Sequence, residues 1–411
     1  MSTAYIVGGG LAGLAAAVAL ADKGRRVVLI EGAPQAGGRC RSYFDATLGL
    51  TIDNGNHLVL SGNTSVQKYL ATIGASDALV GPQHAVLDFI DVRDDLRWTL
   101  RPNDGLLAWW IFVADRRVPG TGPVEYIDLL RLISAGATDT VEDRIRCSGA
   151  LWKRLLEPFL LAVLNTEPKT ASAKLAGNVI RESLALGGRA YRPRIAHPTL
   201  AAAFVDPALA YLKSKGADIR IGQRVRALAT DNWRVTSLDL AGTPLALEKD
   251  DKVILAVPPW VATELLPGTM APTQFRAIVN AHFKVVPPAG SPLITGVIGG
   301  AAEWVFAFED RVSITVSGAD AIVDDDREVL AKRFWADVAK TLRLPEGPMP
   351  PWQVVKERRA TFAATPEQAL CRPGPRTPHA NLILAGDWTD TGLPSTIEGA
   401  IRSGQTAAGL V

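Results

Sequence analysis

Three glycines near the N-terminus, Gly8, Gly10 and Gly13, have the G-x-G-x-x-G spacing of a loop that binds a dinucleotide pyrophosphate. The first permits a tight turn, the second lets the backbone approach the phosphates, and the third lets a helix pack closely on a strand. Glu31 follows about twenty residues later, where a carboxylate can accept hydrogen bonds from both hydroxyls of an adenosine ribose. Because an acid disfavours a 2′-phosphate, FAD or NAD fits better than NADP.

The residues around these glycines predict the elements that must position them. An apolar run at 4–7 predicts a strand, and the alanine-rich stretch after it predicts a helix that ends at Gly24. A second apolar run at 26–30 ends on Glu31. We expect Leu11 and Ala12 at the N-terminus of the helix, whose free N–H groups and partial positive charge suit a phosphate.

The segment Gly37-Gly38-Arg39 favours FAD over NAD. Two glycines allow close approach of the backbone, and an arginine fork binds phosphate oxygens. With the glycine loop before it, the stretch 6–42 resembles the FAD-binding N-terminus of the flavin amine oxidase and phytoene desaturase superfamily. The resemblance implies that Gly38 and Arg39 lie against the pyrophosphate of FAD. We also expect Val225, at the start of a predicted strand, to contact the cofactor.

A second motif lies near the C-terminus, where the predicted strand 381–385 ends on Gly386-Asp387. Strand, Gly-Asp and then helix is also the C-terminal flavin motif of this superfamily. The resemblance implies that Asp387 bonds the ribityl or phosphate region. Because each motif fits one half of FAD, the two together predict a site built from both chain ends.

The last helix is predicted to start near Thr396, since Ser395 and Glu398 fit a capping box. By the same resemblance, Thr396 and Ile397 would point the helix N-terminus at the flavin N1–C2 carbonyl edge. The helix dipole there would favour the anionic reduced flavin.

Three segments narrow the resemblance within the superfamily: 385–400, the run Asp53-Asn54-Gly55-Asn56-His57, and 158–166. They resemble the bacterial squalene-associated flavoproteins of hopanoid synthesis, the hydroxysqualene dehydroxylases. The resemblance implies non-covalent FAD and reduction of a polyisoprenoid substrate, the allylic C30 alcohol hydroxysqualene, to squalene, with hydride from flavin N5. It leaves the electron donor open between NAD(P)H and a reductase.

This chemistry needs an acid, because a hydroxyl is a poor leaving group, and a water-free site for the allylic cation. The candidates for the catalytic acid are His57, Asp53 and Asp390, while Glu398 is expected to be occupied by capping. In the superfamily that the chain resembles, a segment of this kind lies near the flavin, which implies the same for 53–57. However, Asp53 and His57 could equally be polar turn residues that bond their own backbone.

Two other functions are compatible with parts of this pattern. A phytoene-type desaturase or a flavin amine oxidase would use the same cofactor oxidatively, and an amine oxidase usually frames the flavin with two aromatic rings, for which Trp388 is one candidate. A prenyl-binding escort protein would use the fold without flavin, but such proteins tend to lose the cofactor motifs, and both are intact here.

The composition of the chain limits which partners and which fold classes are plausible. The 411 residues are 47% apolar and carry a net charge of +2, which argues against a nucleic-acid surface. Three separated cysteines suggest a reducing compartment, and neither they nor the five histidines have metal-ligand spacing, so no metal site is predicted. We expect an α/β fold. A discontinuous Rossmann-like FAD-binding domain (1–80, 200–266 and 365–411) would be interleaved with an α+β substrate domain (81–199 and 267–364).

The segment Leu106–Ala114 is the longest notable apolar run outside the dinucleotide pattern, and it is too short to span a membrane. It contains Trp109, Trp110 and Phe112, and Arg116-Arg117 follow it. Aromatic side chains beside basic ones suit a membrane interface, although the same residues could fill a core. Since the implied substrate is nearly insoluble in water, we expect peripheral contact with a membrane. We expect the protein to be bacterial and cytoplasmic.

Overall fold

The computed structural model describes residues 2–411. Its strands, in chain order, are β1 (Thr3–Val7), β2 (Arg26–Glu31), β3 (Ser42–Asp45), β4 (Leu50–Asp53), β5 (Leu58–Leu60), β6 (Leu79–Val80), β7 (Leu87–Asp91), β8 (Leu96–Leu100), β9 (Pro193–Ala196), β10 (Asp218–Ile221), β11 (Val225–Asp231), β12 (Arg234–Leu240), β13 (Thr243–Ala246), β14 (Lys252–Leu255), β15 (Phe275–Phe283), β16 (Ile294–Ile298), β17 (Trp304–Ala307), β18 (Val312–Val316), β19 (Trp352–Phe362) and β20 (Leu382–Leu384).

The α-helices are α1 (Leu11–Asp22), α2 (Thr64–Thr72), α3 (Pro123–Ile127), α4 (Leu130–Ile133), α5 (Val141–Arg144), α6 (Glu157–Leu164), α7 (Ala173–Glu182), α8 (Asp206–Ser214), α9 (Pro259–Leu265), α10 (Arg327–Leu342), α11 (Pro366–Leu370) and α12 (Ile397–Ala408). Within residues 2–411, none of these helices is both long enough and apolar enough to cross a membrane.

A five-stranded parallel sheet carries both cofactor motifs. Its strand order is β10-β2-β1-β14-β20, and every neighbouring pair is parallel. All five residues of β1 are buried, as expected for a parallel strand covered on both faces. Because the carboxyl ends of parallel strands share one edge, the loops after β1, β2 and β20 meet there. The predicted α/β class with a Rossmann-like sheet is confirmed.

The second large sheet is mixed and has seven strands in the order β19-β15-β18-β17-β16-β7-β8. Alternate residues of β18 face opposite sides, as the strand period requires. Val312, Ile314 and Val316 pack with α10 in one apolar cluster. Ser313 and Thr315 therefore point to the other face, where Ser313 bonds His282 and Thr315 bonds Asn280.

The strands of the seven-stranded sheet come from 87–100 and 275–362, whereas those of the parallel sheet come from 3–31, 218–255 and 382–384. The chain therefore leaves the parallel sheet and returns to it twice. The domain boundaries proposed from the sequence stay a prediction.

Helices α1 and α12 pack against each other on the parallel sheet at very short range. A methyl group on Gly404 of α12 would lie 2.1 Å from the carbonyl oxygen of Ala12 and 2.9 Å from the amide nitrogen of Ala16. The C-terminal helix can therefore approach the phosphate-loop helix only because position 404 has no side chain.

We predict that Gly404→Ala forces the two helices apart and costs about 1–3 kcal/mol, as overpacking usually does. Thermal denaturation should show a melting temperature lower by several degrees. Gly374→Ala is the matched control, since a methyl group there would have no neighbour within 4 Å. Equal melting temperatures for the two variants would contradict this account of the packing.

Candidate flavin site

The glycine loop after β1 has the shape that a pyrophosphate requires. Gly8 has a φ of 109°, and a side chain there would meet the carbonyl oxygen of Ala256 at 2.4 Å. A methyl group on Gly13 would lie 1.8 Å from the carbonyl oxygen of Gly8, so the third glycine sets the strand–helix contact. Gly10, in contrast, has nothing within 4 Å of its missing side chain. The loop is therefore tight on its protein side and open at the second glycine.

The N-terminus of α1 begins at Leu11, directly after Gly10, and no side chain caps it. Its first N–H groups, including those of Leu11 and Ala12, have no partners within the helix and carry partial positive charge. Gly38 lies beside this terminus, since a methyl group on Gly38 would be 3.4 Å from the Cα of Gly10. These features fit a bound diphosphate.

Glu31 ends β2 at the same edge. Its Oε2 accepts a hydrogen bond of 2.6 Å from the amide of Gly9, and its Oε1 accepts one of 2.7 Å from the amide of Ala33. The carboxylate is thus fixed beside the phosphate loop, and each oxygen keeps a lone pair for a ribose hydroxyl. Val225 starts β11 two residues after Gln223, whose amide donates to the carbonyl of Glu31, so it lies at this edge too.

The N-terminal and C-terminal motifs meet in an ion pair. Arg39 donates from one guanidinium nitrogen to Asp387 at 2.5 Å and from the other to the carbonyl of Ala360 at 2.6 Å. Burial opposes ionisation of Asp387, but the charge and hydrogen bond of Arg39 outweigh it, with Ser395 and Arg372 as weaker causes, and the pKa of this carboxyl lies below its usual value. The two predicted cofactor contacts therefore lie in one place, and their roles toward FAD stay predictions.

Arg372 is a site residue that the sequence motifs missed. Its side chain is buried, and one guanidinium nitrogen donates to the carbonyls of Asp387 and Thr389 and to the hydroxyl of Thr391. Arg372 therefore organises the loop that follows Gly386. It lies outside both motifs and in a loop, so no periodicity or spacing marks it.

The start of α12 is as predicted, but its cap is different. Thr396 is the N-cap, and its hydroxyl accepts from the amide of Gly399 at 3.0 Å. The predicted capping box of Ser395 and Glu398 is wrong. The Glu398 carboxylate instead accepts from the amides of Ser65 and Val66, because the unpaired first N–H groups of α2 lie against it. Glu398 is therefore occupied by capping a different helix.

Asp53 is buried at the end of β4. Its Oδ1 accepts from the hydroxyl of Ser42 at 2.6 Å and from the amide of Leu200 at 2.9 Å. Burial raises the pKa of Asp53, although both hydrogen bonds and Arg311 act in the opposite direction. The carboxyl group joins three chain segments, and its role as an acid stays a prediction.

His57 and Asp390 have contrasting environments. Burial, with the charge of Arg39 as a second cause, lowers the pKa of His57 to about 4. The imidazole is therefore neutral near neutral pH, when it can donate a hydrogen bond but is not a cationic acid. Asp390 is exposed, next to the buried Arg372 loop. No cluster of His, Cys, Asp or Glu that could hold a metal occurs in the part of the chain that the structure describes.

Comparison with known proteins identifies the family of the chain. The family model for flavin containing amine oxidoreductase matches residues 11–411. The chain is 52% identical over 410 residues to hydroxysqualene dehydroxylase of Rhodopseudomonas palustris, covering 100% of this chain and 98% of the relative. It is 48% identical to hydroxysqualene dehydroxylase of Sinorhizobium fredii, covering 99% and 97%.

Among solved structures, an oxidoreductase from Methanosarcina mazei superposes with a TM-score of 0.72 at 14% identity, covering 98% of this chain and 99% of that one. This likeness concerns the fold alone. Because the family match and the full-length identities coincide, the chain belongs to the flavin-containing amine oxidoreductases and, within them, to the hydroxysqualene dehydroxylase family.

Proposed function

We propose that this chain binds FAD non-covalently and reduces hydroxysqualene to squalene. The observation that carries the proposal is the 52% identity, over the full chain, to a protein of that name. The geometry supports it, since both ends of the cofactor site are intact: an open phosphate loop, a fixed Glu31, and Asp387 paired with Arg39. Reduced flavin, when bound, supplies a hydride at N5.

The residues of the chain would bind the cofactor, orient it and exclude water from the reaction. The amides at the start of α1 would hold the phosphates, Glu31 the ribose, and the N-terminus of α12 the carbonyl edge of the flavin ring. The loop 54–57 is tied to the seven-stranded sheet, because Asn56 donates to the carbonyl of Ile314 and to Thr315. Asn54 and Asn56 of this loop are buried, and a buried loop beside the flavin would help to exclude water from the allylic cation.

We predict that purified protein, loaded with FAD, reduced with dithionite and kept free of oxygen, converts hydroxysqualene to squalene. Gas chromatography of the extracted lipids would measure the product, and the same protein stripped of FAD serves as control. An oxidative enzyme would behave differently: its oxidised form would be bleached by an amine or a carotenoid precursor, and its reduced form would leave hydroxysqualene intact. That outcome would overturn the proposal.

The role of Glu31 can be tested separately. Glu31→Arg removes the ribose acceptor and leaves the amides of Gly9 and Ala33 without their acceptor, so FAD affinity should fall at least tenfold, about 1.4 kcal/mol. Glu309→Arg makes the same charge change at an exposed hairpin turn and should have no effect. Flavin titration of both apoproteins measures this, and unchanged affinity in Glu31→Arg would reject the assignment. Acid precipitation should release all the flavin.

Membrane contact is the second part of the proposal, because a C30 alcohol must be drawn from a bilayer. Part of the segment Leu106–Ala114 fills the core and part faces solvent. Trp110 and Ile111 are buried, whereas Trp109 and Phe112 are 50% and 69% exposed. With neighbours from α3, α4 and Leu186 they form a set of exposed apolar side chains, which we name the apolar patch: Leu106, Leu107, Trp109, Phe112, Val124, Ile127, Leu130 and Leu186.

The segments that carry the apolar patch contact one another. The Trp110 ring packs edge-on against Tyr126 with centroids 5.3 Å apart, and the amide of Gly188 donates to the carbonyl of Asn103. Arg116 covers the ring of Trp109 at 4.6 Å and also lines an adjacent cleft of about 360 Å³ with Arg101, His84 and Asp104. Exposed aromatic groups flanked by arginines suit the headgroup level of an anionic bilayer.

We predict that Trp109→Asp combined with Phe112→Asp abolishes sedimentation with anionic liposomes while FAD content and melting temperature are kept, since both side chains are exposed. Trp233→Asp is the control, because Trp233 is 69% exposed but lies on the β11–β12 turn. If the double variant still sedimented with liposomes, the apolar patch would not be the anchor.

A further inference from the structure

The polar face of the seven-stranded sheet holds two buried groups that lack partners and have opposite hydrogen-bonding character. Trp304 is 8% exposed, and its indole Nε1, a donor, has no partner among residues 2–411. Asn56 is also 8% exposed, and its side-chain oxygen Oδ1, an acceptor, is likewise unpaired within the described chain. A buried polar group without a partner costs about 1–3 kcal/mol, so a ligand is a reasonable partner for both.

The orientation of the Asn56 amide is determined by its contacts. Its Nδ2 lies 3.1 Å from the carbonyl oxygen of Ile314, which can only accept, so this atom must be the nitrogen. The same nitrogen donates to Thr315 at 3.2 Å, and the hydroxyl of Thr315 in turn donates to Asn280 at 2.7 Å. The free atom of Asn56 is therefore the oxygen acceptor.

Trp304 is held next to this network. It is the direct cross-strand partner of Thr315 in the antiparallel pair of β17 and β18, so the two side chains lie on one face as close neighbours. Phe89 packs edge-on against its ring with centroids 5.9 Å apart, and Gly296 leaves room for the ring, since a methyl group there would lie 3.2 Å from Trp304. The indole N–H is thus fixed in position.

We infer that Trp304 and Asn56 form the subsite for the substrate hydroxyl, a positioning pair that selects an isoprenoid alcohol over a hydrocarbon. An alcohol is both acceptor and donor: its oxygen accepts from the Trp304 indole, and its proton is donated to Asn56 Oδ1. The product squalene has no hydroxyl, so it gains neither hydrogen bond and leaves both groups unpaired. This inference rests on the proposed function and names the groups that recognise its substrate.

The test uses the oxidised, FAD-loaded protein, which binds hydroxysqualene without turnover. Dissociation constants for hydroxysqualene and for squalene, in the same detergent, come from the change in flavin absorbance on titration. Trp304→Phe keeps an aromatic ring but removes the indole donor with part of the ring system, so the affinity for hydroxysqualene should fall about fivefold to tenfold more than that for squalene. Thr315→Val, which releases Asn56, should lower the same ratio of affinities.

Trp98→Phe is the matched control. Trp98 is also buried with an unpaired indole nitrogen, and its ring also packs on Phe89, but it lies on β8, three strands away from β17. An equal loss of alcohol selectivity in Trp98→Phe, or none in Trp304→Phe, would overturn the subsite. Weaker FAD binding in Thr315→Val would place Asn56 against the cofactor and would overturn it too. Conversion of hydroxysqualene by the reduced wild type, measured in parallel, separates failure of the subsite from failure of the proposed function.

Discussion

The ion pair between Arg39 and Asp387 is the contact on which the rest of the site depends. Asp387 is 5% exposed, and a buried carboxylate without a partner is strongly destabilising. Its partner stands 348 positions earlier in the chain, directly after the glycines that approach the phosphate loop. In the finished fold, β20 lies in the parallel sheet beside β14 and carries Asp387 to Arg39, so the pair joins the two halves of the cofactor site.

The seven-stranded sheet has one apolar face and one polar face, unlike the parallel sheet, whose central strand β1 is buried throughout. One face packs on α10 and is apolar, whereas the other carries His282, Asn280 and Thr315 and fixes the loop that follows β4. Burial lowers the pKa of His282 to about 3, with Arg311 as a second cause. A neutral His282 can therefore join the backbone carbonyl of Asp53 to the hydroxyl of Ser313 without adding a charge to this buried face.

Local pattern was enough to predict the cofactor elements. The glycine spacing, the buried run of β1 and the acid after β2 are each read within about thirty residues, the length of one βαβ unit. The C-terminal motif is equally local, and the family and the α/β class follow from the two together. Contacts between distant segments are different: nothing near Glu398 indicates that it caps α2, and Arg372 carries no motif.

Exposure was the other quantity that the sequence could not supply. Trp109 and Trp110 are adjacent and identical in type, yet one is half exposed and the other packs on Tyr126. The segment is a short 3-10 turn, Trp109–Phe112, in which neighbours point in different directions, so no helical or strand period sorts them. The same limit applies to the acid candidates, since the burial of Asp53 and the exposure of Asp390 depend on tertiary packing.

If the flavin of this chain delivers a hydride to an allylic alcohol, a single turnover in D2O will label the product. Reduced protein, freed of excess dithionite and equilibrated in D2O so that the exchangeable hydrogen on flavin N5 becomes deuterium, is mixed without oxygen with one equivalent of hydroxysqualene. We expect the oxidised flavin spectrum to return and one squalene, carrying one deuterium at the former carbinol carbon, to form for each flavin oxidised. Squalene without deuterium, or flavin that stays reduced while squalene forms, would contradict the account.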